Sequence, residues 1–207
     1  MVKIVIIGAG GHSRVIISLI ELLNEYQIIG LVDDVNHLDE KILGYQIIGG
    51  ISELNEIRNS GITHAVIAVG NNDSRLELFN KVVNEGFEIP TLIHPTAIVE
   101  SNVKIGRGCQ ICLGAKICSA SIIGSNSIIN TGAIIEHEVI VGDNVFVAPG
   151  CAVAGRVIIE SDVFIGIGSV IIENTKIGNK AVIGAGSVVI NDVKPESVVV
   201  GSPARAI

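Results

Sequence analysis

The chain has no tryptophan and one methionine, and only 3% of its 207 residues are aromatic. A core without large rings must be filled by aliphatic side chains, and the abundant Ile and Val favour strands. Also missing is any basic run. Fourteen Lys and Arg against 21 Asp and Glu leave a net charge of −7, which argues against nucleic acid as a partner. No stretch approaches the roughly 18 consecutive apolar residues a membrane-spanning helix needs, so the mean hydropathy of +0.60 is attributed to buried strands. The opening run Met1 to Gly8 is too short for a secretory apolar region and has no cleavage-like site. A cytoplasmic protein is expected, without a membrane partner. Of the four cysteines, Cys109 and Cys112 form a single CxxC, with no second pair at zinc-site spacing beside Cys118 and Cys151. They read as small buried thiols in a reducing compartment.

What the chain does have is a repeat. Every sixth residue from Val99 to Val189 is Ile or Val, sixteen positions in succession. The position four residues after each, beginning Val103, Cys109, Ala115, Ser121, is always small or β-branched. A period of six fits neither a helix nor an alternating sheet, and it is the signature of a parallel β-helix. Each hexapeptide supplies one flat side and one turn, so three make a coil and sixteen make roughly five coils. The aliphatic ring should point inward, and the small residue should let the chain round the corner. Gly106, Gly124, Gly142, Gly166, Gly178 and Gly184 follow aliphatic positions, where a Cβ would crowd the turn. The run has no insertion, so no loop should protrude.

Residues 1–90 are organised differently. Ile4 to Ile7, Ile28 to Val32 and His64 to Val69 are strand candidates. Apolar spacing predicts helices from Ser13 to about Asn24 and from Arg75 to Val83, with a short one near Ile51 to Ile57. Alternation of this kind implies a small parallel sheet. The fold class expected is therefore an α/β, Rossmann-like βαβαβ domain over residues 1–90, followed by a left-handed parallel β-helix over 91–207. The turn Gly8-Ala9-Gly10-Gly11-His12 follows a strand and opens a helix, so its backbone N–H groups could hold a phosphate. The match to GxGxxG is imperfect, because Ser13 stands where the third glycine belongs. Asp33 lies about 20 residues on, where an acidic residue can bind a ribose hydroxyl. Only one βαβαβ half is present, which favours a nucleotide or nucleotide-sugar over a dinucleotide.

Five histidines are present: His12, His37, His64, His94 and His137. Only His137 falls within the repeat, two residues past the inward Ile135, so it should face outward. Glu136 and Glu138 flank it, and a carboxylate beside an imidazole can fix its tautomer and raise its basicity. One histidine cannot build a carbonic-anhydrase-type zinc site on a β-helix, so no metal is expected.

The order of motifs runs from the glycine turn through Val32-Asp33-Asp34, Ala68-Val69-Gly70-Asn71-Asn72 and Leu92-Ile93-His94-Pro95. Asn130-Thr131-Gly132, Glu136-His137-Glu138 and a terminal Gly201-Ser202-Pro203-Ala204-Arg205 follow. Over essentially the whole chain this resembles the bacterial sugar acyltransferases of the sialic acid O-acetyltransferase family, which includes N-acetyltransferases of nucleotide-linked 4-amino-sugars. The resemblance implies a homotrimer, acetyl-CoA as co-substrate in the groove between neighbours, and a role in bacterial surface glycan biosynthesis. It implies His137 as general base, Glu138 as the residue that raises its basicity, and Gly155 as the glycine whose N–H polarises the thioester carbonyl. Gly10, Gly11, His12, Asp33, Asp34 and Gly70 match positions that hold the nucleotide-sugar. Ile167 and Ala185 match positions lining the CoA groove, and Pro203-Ala204-Arg205 a segment near the CoA adenine. The sequence departs from the family at Phe146, where a second histidine contacting acetyl-CoA is usual. Phe146 can still pack against the pantetheine arm. O-acetylation of a sialic acid stays open as an alternative, as does a non-catalytic trimeric nucleotide-sugar-binding or scaffold protein.

Overall fold

The computed structural model describes residues 1–34 and 41–207; His37 lies outside the described residues. The chain divides into two compact units, Met1–Leu92 and Ile93–Ile207.

In the first unit, β1 (Val2–Ile7), β2 (Tyr26–Val32), β4 (Tyr45–Gly49) and β5 (His64–Ile67) form a parallel sheet in the order β4-β2-β1-β5. The short β3 (Lys41–Ile42) pairs antiparallel with β4 at the edge. Alternate β1 side chains serve opposite faces, as the period of two requires. Ile4 and Ile6 pack with Ile16, Ile17 and Ile20 of helix α1 (Gly11–Leu23). Val5 and Ile7 pack with Leu54 and Ile57 of α2 (Leu54–Asn59), and with Phe79 and Val82 of α3 (Asn72–Asn84). The β3–β4 hairpin has no counterpart in the sequence expectation: β3 is two residues long, and among the side chains of β4 only Ile47 is buried, which leaves no clear alternation.

The second unit is the three-sided prism. Two-residue strands pair in parallel with partners 18 residues on, such as Ile117 with Ile135 and Ile135 with Val153. One face carries the strands at Ile98, Lys116, Ile134, Ala152, Val170 and Val188. The next carries those at Lys104, Ile122, Ile140, Ile158 and Lys176. The third includes those at Gln110, Ile128, Phe146, Phe164, Val182 and Val198. All fourteen inward residues from Ile111 to Val189 are at most 1% exposed, each stabilising the prism by about 1.5–3 kcal/mol. Val99 and Ile105, at the open first coil, are half-buried.

Two features refine the repeat. The small residue does sit inside each corner: Cys109, Ala115, Ser121 and Ser127 are fully buried. The reversal itself, however, is made by the residue before it, in the left-handed conformation. On one edge these are Gly114, Gly132, Gly150, Gly168 and Gly186. A second edge has Asn126, Asn144 and Asp162, whose side chains hydrogen-bond in a ladder at 2.9 and 2.8 Å. The third has Ala120, Glu138, Arg156 and Asn174. The last coil is also short. Ile177 pairs with Val193 and Ile183 with Val199, a step of 16 rather than 18. The chain then closes the third face with an antiparallel strand, Arg205–Ala206.

Candidate functional site

In the first unit the expected nucleotide-sugar positions gather at the carboxyl ends of β1, β2 and β5, where open α/β sheets place ligands. Gly8 has φ +103°, and a Cβ there would lie 2.9 Å from Val69 Cγ2, so only glycine lets the loops after β1 and β5 approach. Gly10 caps α1 without a side chain, and the first turn holds no acidic residue. Those N–H groups and the positive end of the helix dipole face outward from an exposed Gly10-Gly11. His12, half-buried, lies on that same turn. Ser13, standing for the third glycine, is buried and donates its hydroxyl to the Gly10 carbonyl at 2.7 Å. The turn is thereby closed by a hydroxyl.

Asp33 and Asp34 both hold backbone. Asp33 Oδ2 accepts from the Ala9 N–H at 2.6 Å, tying the glycine turn to the end of β2, and Asp34 Oδ1 accepts from the Ile51 N–H at 2.6 Å. Asp33 Oδ2 thus shapes the loop directly. Gly8, Asp33, Asp34, Ile51, Val69 and Leu78 line a cavity of about 170 Å³. Gly70 is fixed by a residue the sequence did not single out. Arg75 on α3 is fully buried and donates to the Gly70 carbonyl at 2.9 Å and to Asn72 Oδ1 at 2.8 Å. Its spacing of five from Gly70 gave no motif to notice.

On the prism, His137 stands exposed on the edge between the first and second faces. Its Nδ1 lies 3.0 Å from Glu138 Oε2. The ring rests on Gly155, one coil along: a Cβ there would sit 2.6 Å from Cε1 and 2.7 Å from Nε2. The coils are locked in register at this point, the Arg156 N–H donating to the His137 carbonyl at 3.0 Å. Among the described residues the Gly155 N–H has no hydrogen-bond partner. With Nδ1–H donated to Glu138, the Nε2 lone pair is left free to take a proton. Arg156, Glu173 and Asn174 extend the same edge. Arg156 reaches Glu138 Oε2 at 3.9 Å, Glu173 Oε2 at 3.1 Å and Asn174 Oδ1 at 3.0 Å. Adding one coil length to Glu138 gives Arg156, so the 18-residue period carried that signal.

The remaining positions lie elsewhere on the prism. Ile167 and Ala185 are exposed on the edge between the third and first faces, stacked one coil apart. Phe146 points outward on the third face and stacks on Phe164, centroids 5.2 Å apart and planes 13° from parallel. The aromatic pair fills the position where a family histidine was expected. Among the described residues no group of three or more His, Cys, Asp or Glu is gathered to hold a metal, and no helix is long and apolar enough to cross a membrane. Cys109, Cys112 and Cys151 are buried, while Cys118 is half-buried, and burial pushes the Cys112 thiol up to about 12.

Residues 3–82 match the PglD N-terminal domain, and residues 156–191 match the bacterial transferase hexapeptide family, six repeats. A UDP-N-acetylbacillosamine N-acetyltransferase of Bacillus subtilis (strain 168) is 34% identical over 111 residues; these span 54% of this chain and about half (51%) of that protein. The structure of PerB from Caulobacter crescentus, in complex with CoA and GDP-perosamine, superposes with a TM-score of 0.94. It is 33% identical, covering 99% of this chain and 97% of the other. The acetyltransferase domain of PglB from Neisseria gonorrhoeae FA1090, in complex with acetyl coenzyme A, gives 0.93 at 31% identity, covering 99% and 98%.

Proposed function

This chain belongs to the hexapeptide-repeat sugar acetyltransferases that carry a PglD N-terminal domain, and from that premise we propose that it moves an acetyl group from acetyl-CoA to the amine of a nucleotide-linked amino sugar. The observation that carries the reading is the His137 imidazole, held by Glu138 at 3.0 Å over a Gly155 whose N–H is unengaged. The amine attacks the thioester carbonyl while His137 Nε2 takes its proton, and the thiolate of CoA leaves as the tetrahedral intermediate collapses. A positioned base of this kind contributes about 10²–10⁴-fold. The Gly155 N–H would receive the developing oxyanion, adding about 10²–10³-fold. The rest comes from holding donor and acceptor together. No covalent intermediate on the enzyme is required.

Gly10, Gly11, His12 and Gly70 are assigned to the nucleotide-sugar, with Asp33 and Asp34 shaping the loops that receive it. Ile167, Ala185 and Phe146 are assigned to the CoA arm. A trimer is supported by the apolar outer faces. Ile122, Ile140 and Ile158 are 41–44% exposed in one column, and Ile98 and Val170 are 58% and 41% exposed on the adjoining face. Exposed apolar positions stacked in this way mark an interaction surface. The product would serve bacterial surface glycan assembly inside the cytoplasm.

The test is thiol release from acetyl-CoA, read with a thiol-reactive dye, in parallel wells of UDP-linked, GDP-linked and dTDP-linked 4-amino-sugars, free sialic acid and CMP-sialic acid. Turnover with a nucleotide-linked amine alone is expected. Turnover with a sialic acid alone would move the protein to O-acetylation. Tight ligand binding with no thiol released in any well would leave a binding or scaffold protein.

A further inference from the structure

Glu138 does not serve His137 alone. Its Oε2 faces the His137 Nδ1 at 3.0 Å and also the Arg156 Nη1 at 3.9 Å. Arg156 is in turn anchored above, its Nη2 on Glu173 Oε2 at 3.1 Å and its Nε on Asn174 Oδ1 at 3.0 Å. Glu138, Arg156 and Asn174 occupy the same left-handed corner position of three successive coils. The order along this edge is therefore fixed by the fold: base, carboxylate, guanidinium, carboxylate. The charged and titratable groups on the neighbouring turns are Glu136 beside His137, and Cys118, Lys116 and Glu100 on the coils below. Lys116 acts on Cys118, whereas Arg156 is the cation placed against the Glu138 carboxylate.

We propose that Arg156 is a positioning residue for the base, sharing the Glu138 carboxylate with His137 so that Glu138 orients the ring without holding it protonated. An unshared carboxylate against an imidazole favours the imidazolium, which cannot accept the amine's proton. A guanidinium beside the same oxygen offsets part of that charge and is anchored by its planar fork. Glu173 sets how firmly Arg156 is drawn away from Glu138. The inference rests on His137 being the base.

The experiment follows the His137 imidazole by NMR titration in the full-length protein and the acidic limb of kcat/KM in the thiol-release assay. Arg156→Gln should move both upward by about half a pH unit, as expected for one screened charge. The rate on that limb should then fall about threefold. Glu173→Gln should move both downward, because Arg156 is released toward Glu138, and Arg156→Lys should return them most of the way. Circular dichroism checks that each variant is folded. An unmoved imidazole titration in both Arg156→Gln and Glu173→Gln would overturn the proposal and leave Arg156 as a strut between coils. A separate outcome tests the underlying reading. If His137→Ala keeps turnover with the wild-type acidic limb, His137 is not the base, whatever Arg156 does to its titration.

Discussion

Gly155 shows how little freedom the site leaves a single residue. The space a Cβ would need is occupied by the imidazole of His137, at 2.6–3.1 Å from three ring atoms. Gly155→Ala should therefore push the ring off its Glu138 bond and lower kcat at least about 100-fold, since a displacement near 1 Å is costly to a positioned base. Thermal unfolding and thiol release, measured on the same preparation, separate that loss from misfolding. His137→Ala should lower kcat by about 10²–10⁴-fold while the KM for acetyl-CoA changes little. A proportional rise in that KM would mean the ring binds the donor instead. The His137–Glu138 pair was legible because adjacent residues on a corner are neighbours in space whatever the coil length. Arg156 was legible only one step further, through the 18-residue coil that sets it beside Glu138, and Arg75 was not: it is a buried arginine that satisfies a carbonyl, a role no residue pattern announces.

At the scale of the element, the corner determines which substitutions the prism tolerates. Ala120 is exposed and holds φ +62°, a conformation that costs an alanine about 1–2 kcal/mol. Part of this returns as entropy when glycine is substituted, so Ala120→Gly should raise stability by about 0.5–1 kcal/mol, read as a higher urea midpoint. Gly124 is the opposite case. Its φ is ordinary, but a Cβ would stand 2.5 Å from the Gly142 carbonyl oxygen and 2.6 Å from the Asp143 nitrogen, backbone atoms of the next coil that cannot yield. Gly124→Ala should cost about 2–3 kcal/mol and lower the same midpoint. The crowding at Gly124 was predictable from the hexapeptide alone, because glycine follows the aliphatic position. The left-handed residue was not, because Ala, Glu, Arg, Asn, Asp and Lys all occupy it. The short last coil was not read either: the aliphatic series stops at Val189, with Pro195 next, and Val193 falls in the register of the small corner residue rather than the inward one.

At the scale of the molecule, one chain does not put its proposed site residues on one edge. His137, Glu138 and Gly155 lie between the first and second faces, while Ile167 and Ala185 lie between the third and first. If the transfer site is built between neighbours in a closed ring, base and CoA groove come from different copies, and each copy supplies both halves to different sites. This arrangement predicts complementation. His137→Ala lacks the base but keeps the groove, and Ala185→Trp keeps the base but fills the groove at an exposed position where the larger side chain meets solvent in the single chain. Each variant alone should be nearly inactive. Unfolded together in equal amounts and refolded, they should recover about a quarter of wild-type turnover, the fraction of sites that pair an intact base with an intact groove under random assembly. Mixing without unfolding should recover nothing if the ring does not exchange subunits. A refolded mixture that matches the sum of its parts would place base and groove within one chain, and the apolar columns of Ile122, Ile140 and Ile158 would then need a different partner.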